Sequence, residues 1–123
     1  MQYALGGPDT RWGAERARAG HPAPFPLKYL EIGNENHGPI YARYYARIAA
    51  AVRKQWPAVK LIYNDQLPTT GAPANIDLLT EHFYKEPGWF FANAGRYDAF
   101  PRTRPVYVGE FACNRAVGAG NLL

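Results

Sequence analysis

Between Ile40 and Trp56, in IYARYYARIAAAVRKQW, the apolar residues Tyr41, Tyr44, Ile48, Val52 and Trp56 recur at steps of three and four. That spacing lines one face of an α-helix. Pro39 stands where the first turn begins and Pro57 where the last must end, so the pattern predicts a helix bounded by two prolines. On either side the period changes. Lys28 to Gly33 (KYLEIG) and Val59 to Tyr63 (VKLIY) are short apolar runs that predict strands. A further apolar stretch, Ile76 to Leu79, leads into Glu81 to Tyr84 (EHFY), a short strand end, and Pro105 introduces Val106 to Phe111 (VYVGEF), a buried strand. Near the N-terminus, Arg11 to Arg18 (RWGAERAR) predicts a short helix, ended by Gly20 and the proline-rich HPAPFP. Strands alternating with helical or loop segments predict an α/β fold, a parallel sheet with helices outside it. In such sheets chemistry sits just beyond the carboxyl ends of the strands.

Composition narrows this picture. The 123 residues, 47% apolar and 15% aromatic, suffice for one packed domain, and they fall well short of the roughly 250 residues of a complete (β/α)8 barrel. With 20% charged residues and no low-complexity tract, wholesale disorder is not expected. The apolar runs are too short to span a bilayer, so no membrane partner is expected, and MQYALGGPDTRW lacks the basic and apolar regions of a leader, which leaves localisation open. Fourteen basic against ten acidic residues give a net charge of +4, a mildly basic surface that does not favour nucleic acid as a partner. The single cysteine, Cys113, excludes an intrachain disulfide and any multi-cysteine metal site. Prolines and glycines fall between the periodic segments without clustering into a linker, so residues 1–123 are read as one structural unit without repeats.

The candidate chemistry lies at the strand ends. Gly33-Asn34-Glu35-Asn36 follows the first strand and Gly109-Glu110-Phe111 closes the last. Two carboxylates at one edge of a sheet are what glycoside hydrolysis requires, one to protonate the leaving oxygen and one to attack the anomeric carbon or activate water. A glycine before each site lets the backbone turn sharply and a sugar approach closely. Asn34 offers a donor and an acceptor to a sugar hydroxyl. From spacing alone, another reading stays open, in which Glu35 caps the following helix and Glu110 is an ordinary surface carboxylate.

The combined text, GHPAPFPLKYLEIGNENHGPIYARYY, then HFYKEPGWF, then VYVGEFA, resembles the α-L-arabinofuranosidases of glycoside hydrolase family 51, retaining enzymes built on (β/α)8 barrels. The resemblance runs from about Arg11 to the end. It implies that the chain is part of a (β/α)8 TIM barrel, a catalytic-domain fragment with parallel strands resembling the fourth to the seventh and the intervening helices. It also implies hydrolysis of terminal non-reducing α-L-arabinofuranosyl residues from arabinoxylan, arabinan or oligosaccharides, with no cofactor and no metal. Glu35 is then similar to the family's general acid/base and Glu110 to its nucleophile. Asn34 is similar to the asparagine that binds the hydroxyl beside the anomeric carbon, and His82 and Tyr84 to an active-site pair whose tyrosine holds the nucleophile. Relatives often have tyrosine in place of Phe83 and Phe111, so a hydroxyl near the site is expected to be missing at each. Such enzymes commonly assemble as homo-oligomers. With the first three strands and the eighth absent, the segment alone is expected to be marginally stable, self-associating or inactive.

Other residues compete for roles at the same edge. Glu31 shares strand parity with Glu35 and is assigned structural support; Glu81 should point away from the pocket into solvent if His82 points in. Asp65 suits sugar contact or a turn after Asn64. His21, His37 and His82 lack compact metal-ligand spacing, although His37, beside Asn36, can line the pocket. Asn36 and Trp89 are further candidates for substrate contact, Trp89 as a stacking platform or as core. Tyr41, Tyr44 and Trp56 are read as core, and Arg43, Arg47, Arg53 and Lys54 as a solvated face. Cys113 lacks a neighbouring histidine in sequence to activate it. A retaining mechanism sets one geometric condition. Its carboxyl groups lie roughly 5 to 5.5 Å apart, whereas strands three places apart in a flat sheet are about 14 Å apart, so the sheet must curl. The alternative to an enzyme is a non-catalytic carbohydrate-binding remnant of the same fold.

Overall fold

The computed structural model describes residues 1–64, 73 and 75–113. In chain order the elements are α1 (Gln2–Leu5), α2 (Arg11–Arg18), β1 (Tyr29–Ile32), α3 (Gly38–Gln55), β2 (Lys60–Asn64), β3 (Leu78–Lys85), α4 (Pro87–Ala92) and β4 (Val106–Cys113). The sheet runs β1-β2-β3-β4, with β2 to β3 and β3 to β4 parallel. Where the even punctuation suggests a single unit, the chain divides into two compact ones, residues 1–30 and 31–123, just past HPAPFP.

The first unit is built around an arginine. Thr10 caps α2 by accepting the Gly13 N–H at 3.2 Å, which satisfies one of the free donors of a helix start. Arg16, fully buried, turns its guanidinium inward and donates to the carbonyls of Tyr3 (2.7 Å), Gly6 (2.8 Å), His21 (2.9 Å) and Pro22 (3.0 Å). The planar fork of five donors makes such a hub feasible for arginine and for no other side chain. Helix α2 can approach closely because residue 13 is glycine; a Cβ there would meet the Gly7 carbonyl at 1.9 Å.

In the second unit, α3 begins at Gly38, with Pro39 in its first turn as predicted. Its buried face is Tyr45, Ala49 and Val52, while Tyr44 and Ile48 are exposed at 59% and 47%. The helix is thus turned from the stripe that spacing alone suggests. The reason is polar: the Tyr41 hydroxyl donates to the Ile32 carbonyl at 2.6 Å and accepts the Asn64 N–H at 2.7 Å, which fixes the helix against the ends of β1 and β2. Tyr45 and Tyr63 then meet edge to face, with centroids 4.8 Å apart. Burial pushes the Tyr45 hydroxyl up to about 12. The far end of α3 is tied by Asp77, which accepts from Arg53 and from the Leu61 N–H, both at 2.8 Å. Burial opposes ionisation of Asp77, but the Leu61 N–H, Arg53 and Lys60 outweigh it and hold the carboxyl below its ordinary value. Among the described residues, no helix is long and apolar enough to cross a membrane.

Candidate active site

The loop after β1 winds tightly. Gly33 has φ +104°, and a Cβ there would meet the Asn36 side-chain oxygen at 2.4 Å, so only glycine fits. That oxygen accepts the Asn34 N–H at 2.9 Å, while the Asn36 N–H donates to the Asn64 Oδ1 at 2.9 Å. Between them Glu35 adopts φ +53°, the one non-glycine residue with positive φ among those described. A glutamate held there costs about 1 to 3 kcal/mol and persists where neighbours over-determine it. The cap of α3 is His37, without a side-chain hydrogen bond. Capping therefore does not account for Glu35.

The opposite wall comes from β3 and β4. Their register pairs Glu81 with Val108 but His82 with Glu110, leaving Gly109 as an extra residue on β4. Paired residues in a sheet share a face, so this bulge turns Glu110 onto the face of His82 although Val108, two residues earlier, lies on that of Glu81. A Cβ on Gly109 would meet the Thr80 Oγ1 at 2.8 Å and the His82 Nε2 at 3.3 Å. Glycine is needed for space.

These two walls bring Glu35, His82 and Glu110 together. The Nδ1 of His82 lies 3.2 Å from the Glu35 Oε1 and 3.6 Å from the Glu110 Oε2. One oxygen of each carboxylate and the imidazole nitrogen all fall within 4.8 Å of one another. The curl of sheet that a retaining pair demands is therefore present. Tyr84 donates its hydroxyl to the Glu110 Oε2 at 2.5 Å, and this bond, with the carboxylate's charge, raises the phenol above its ordinary value. His82 is 8% exposed, whereas Glu35 is 57% and Glu110 40% exposed, so both carboxylates remain open to solvent and to a ligand. Among the described residues this is also the trio of acidic and histidine side chains close enough to share a metal ion, which would occupy both carboxylates at once.

Several expected contributors sit elsewhere. Trp89 packs on Phe83 with centroids 4.8 Å apart, and on Phe90 and Lys85. Phe83 is one residue from His82 and pairs with Phe111, so alternation sets Phe83 and Phe111 on the face opposite the carboxylates. Trp89 belongs with that packing layer, and the absent tyrosine hydroxyls at 83 and 111 are not lost from the carboxylate face. The Asn36 side-chain oxygen is engaged within its own loop, leaving Asn34, exposed beside Glu35, the freer of the two for a ligand. Glu31 accepts from the Asn64 Nδ2 and has the structural role expected of it. Glu81 does turn away from His82, but it is 3% exposed and bound by Arg96 and by the Tyr97 hydroxyl; a carboxylate on a packed face is paired instead of solvated. His21 packs on Phe25 within the first unit, His37 is exposed, and Asp65 lies outside the described residues. Sequence reasoning passed over Asn64 and Tyr41 as parts of the site's support. Asn64, 3% exposed, joins Glu31 to the loop that carries Glu35; its position directly after the predicted strand Val59 to Tyr63, at the same edge as the first motif, was the available signal.

Comparison with known proteins is consistent with this geometry. Residues 1–102 match the family described as the alpha-L-arabinofuranosidase 1 domain. The chain is 35% identical, over 91% of its length, to an extracellular exo-alpha-L-arabinofuranosidase of Streptomyces chartreusis, and 34% identical, over its full length, to alpha-L-arabinofuranosidase 2 of Arabidopsis thaliana. It spans 15% and 19% of those two proteins. Among solved structures, the arabinose-bound MgGH51 α-L-arabinofuranosidase superposes with a TM-score of 0.82 and 27% identity, covering 92% of this chain and 19% of that one. The four-stranded parallel sheet with its helices is thus a segment of the barrel found in family 51 enzymes.

Proposed function

We propose, from the premise that this chain belongs to the α-L-arabinofuranosidase family, that it supplies both reacting carboxylates of a retaining hydrolase acting on terminal non-reducing α-L-arabinofuranosyl groups of glycans. The observation that carries the proposal is the approach of Glu35 and Glu110, with oxygens within 4.8 Å, around His82. That separation suits direct attack by one carboxylate and leaves too little room for an intervening water, the arrangement an inverting enzyme needs.

In this scheme Glu110, held by Tyr84, attacks the anomeric carbon while Glu35 gives its proton to the departing oxygen, forming an arabinosyl ester. Water then attacks the anomeric carbon of the ester, Glu35 takes the water proton, and the bond from that carbon to the Glu110 oxygen breaks, so that Glu110 leaves as the carboxylate. Asn34, exposed beside Glu35, is the group placed to hold the neighbouring sugar hydroxyl. The assembly of the full-length protein as a homo-oligomer belongs to the same proposal, and light scattering tests it.

The test is made on the full-length protein with an aryl α-L-arabinofuranoside. Glu110→Ala should abolish turnover, and Glu35→Ala with added azide should yield arabinosyl azide of retained configuration. Wild-type turnover by Glu110→Ala, or an inverted sugar product from the unmodified protein, overturns the assignment. Sugar binding without hydrolysis by the unmodified protein supports the carbohydrate-binding alternative instead.

A further inference from the structure

The face of β3 that carries His82 also carries Thr80, two residues earlier. Thr80 is 2% exposed, and its Oγ1 has no hydrogen-bond partner among the described residues. A hydroxyl buried without a partner is costly to a fold, so its environment calls for an explanation. Its neighbour across β2, Asn64, is already engaged by Asn36 and Glu31. Across β4 its register partner is Tyr107, and beyond that lies the gap kept open by Gly109. The Nε2 of His82 borders the same gap: the hydroxyl lies 2.8 Å and the ring nitrogen 3.3 Å from the point where a Cβ of residue 109 would stand.

We propose that Thr80 is a positioning residue of the reaction: at the Gly109 gap its hydroxyl holds the Nε2 proton of His82 through one bridging water. This inference rests on the arabinofuranosidase reading of the site. A neutral imidazole carries one proton, and a chain that accepts at Nε2 keeps it on that nitrogen. With the proton on Nε2, the Nδ1 lone pair faces Glu35 at 3.2 Å and can accept from the protonated carboxyl group. The opposite tautomer would donate to Glu35 and favour the carboxylate, which has no proton to give. Thr80 thereby acts through His82 on Glu35, and in kcat/KM, which reports the first step, its effect falls on proton donation. Nucleophilic attack by Glu110, held by Tyr84, does not depend on it.

That division gives a test in which the leaving group is varied. A methyl α-L-arabinofuranoside needs its departing oxygen protonated, whereas a 2,4-dinitrophenyl α-L-arabinofuranoside departs unaided. In the full-length protein Thr80→Val should lower kcat/KM on the methyl glycoside about tenfold and on the dinitrophenyl glycoside less than about twofold. Thr80→Ser should restore the methyl rate, and Gly109→Ala, which fills the gap, should reproduce the valine pattern. A Thr80→Val protein that matches wild type on both substrates, or that loses equally on both, overturns the inference. If the unmodified protein hydrolyses neither substrate, the arabinofuranosidase reading falls and this inference falls with it.

Discussion

Asn64 offers the most direct test of how the fold holds Glu35. Its side chain accepts the Asn36 N–H at 2.9 Å and donates to Glu31, so Asn64→Ala removes both bonds and leaves the half-buried Glu31 carboxylate without that donor. A neutral hydrogen bond of this kind contributes about 1 kcal/mol and one to a charged group about 2 kcal/mol, giving a loss of about 3 kcal/mol. The functional loss should be larger than stability alone accounts for. Glu35 is held at φ +53° by the bonds on either side of it, and a strain of about 1 to 3 kcal/mol is comparable with the tether that would be lost. Released, the loop should relax and carry the carboxylate away from His82, and a displacement of about 1 Å in a reacting group can cost roughly a hundredfold in turnover. Asn64→Asp separates the two effects. It keeps an acceptor for Asn36 while setting a second carboxylate against Glu31, so it should destabilise the protein yet retain more turnover than the alanine variant. Thermal unfolding and hydrolysis of an aryl α-L-arabinofuranoside by the full-length protein measure both. An alanine variant that melts and turns over like wild type would show that the loop is held by something else.

Four further outcomes follow from the same contacts. Tyr84→Phe removes the hydroxyl that donates to Glu110 and, because Tyr84 is 42% exposed, should lower kcat about tenfold with little change in melting temperature. Asp77 has a folded-state carboxyl below its ordinary value of 3.8, so it stabilises the fold above that pH and the contribution is lost as pH falls through the folded value; Asp77→Asn should be less stable than wild type at neutral pH, with the difference shrinking in acid-unfolding measurements. Arg16→Met leaves the Tyr3, Gly6, His21 and Pro22 carbonyls without their donor and should destabilise residues 1–30 by about 3 kcal/mol or more, read as faster hydrogen exchange there. Glu81→Gln breaks a buried pair with Arg96 and should cost about 3 kcal/mol, measured by denaturant unfolding.

What the sequence disclosed, and what it concealed, divides along physical lines. Helix α3 and the strands were legible because prolines bound the helix and apolar runs mark the strands. The first catalytic candidate was legible because glycine before an exposed polar cluster signals a sharp turn, and Gly33 makes one. The rotation of α3 was not, since its apolar surface is wide enough to offer two stripes and the choice rests on bonds from one tyrosine hydroxyl to distant backbone. Glu81 was misread because alternation tells which face a side chain takes and not what covers that face; Arg96 and Tyr97 arrive from a segment more than ten residues later. Trp89 was ambiguous for the same reason.

Gly109 carries this lesson furthest. By alternation alone, Val106, Val108 and Glu110 would share one face of β4, and the nucleophile candidate would then lie on the side of Glu81 and the packing layer. The extra residue at 109 reverses the parity at one step. A side chain there would also be driven against Thr80 and His82. One residue without a side chain thus meets two demands: it turns Glu110 toward His82, and it keeps clear the space behind the imidazole. The first demand concerns where the carboxylates meet, and the second how the proton between them is held. Deletion of Gly109 sets Val108 and Glu110 next to each other, so that regular alternation itself keeps Glu110 on the face of His82 while the gap is lost, whereas Gly109→Ala fills the gap while keeping the count. Both variants should therefore lose about tenfold in kcat/KM on the methyl glycoside, whose leaving group needs a proton, and little on the dinitrophenyl glycoside, and a deletion that abolished turnover on both would show that Glu110 needs the bulge itself.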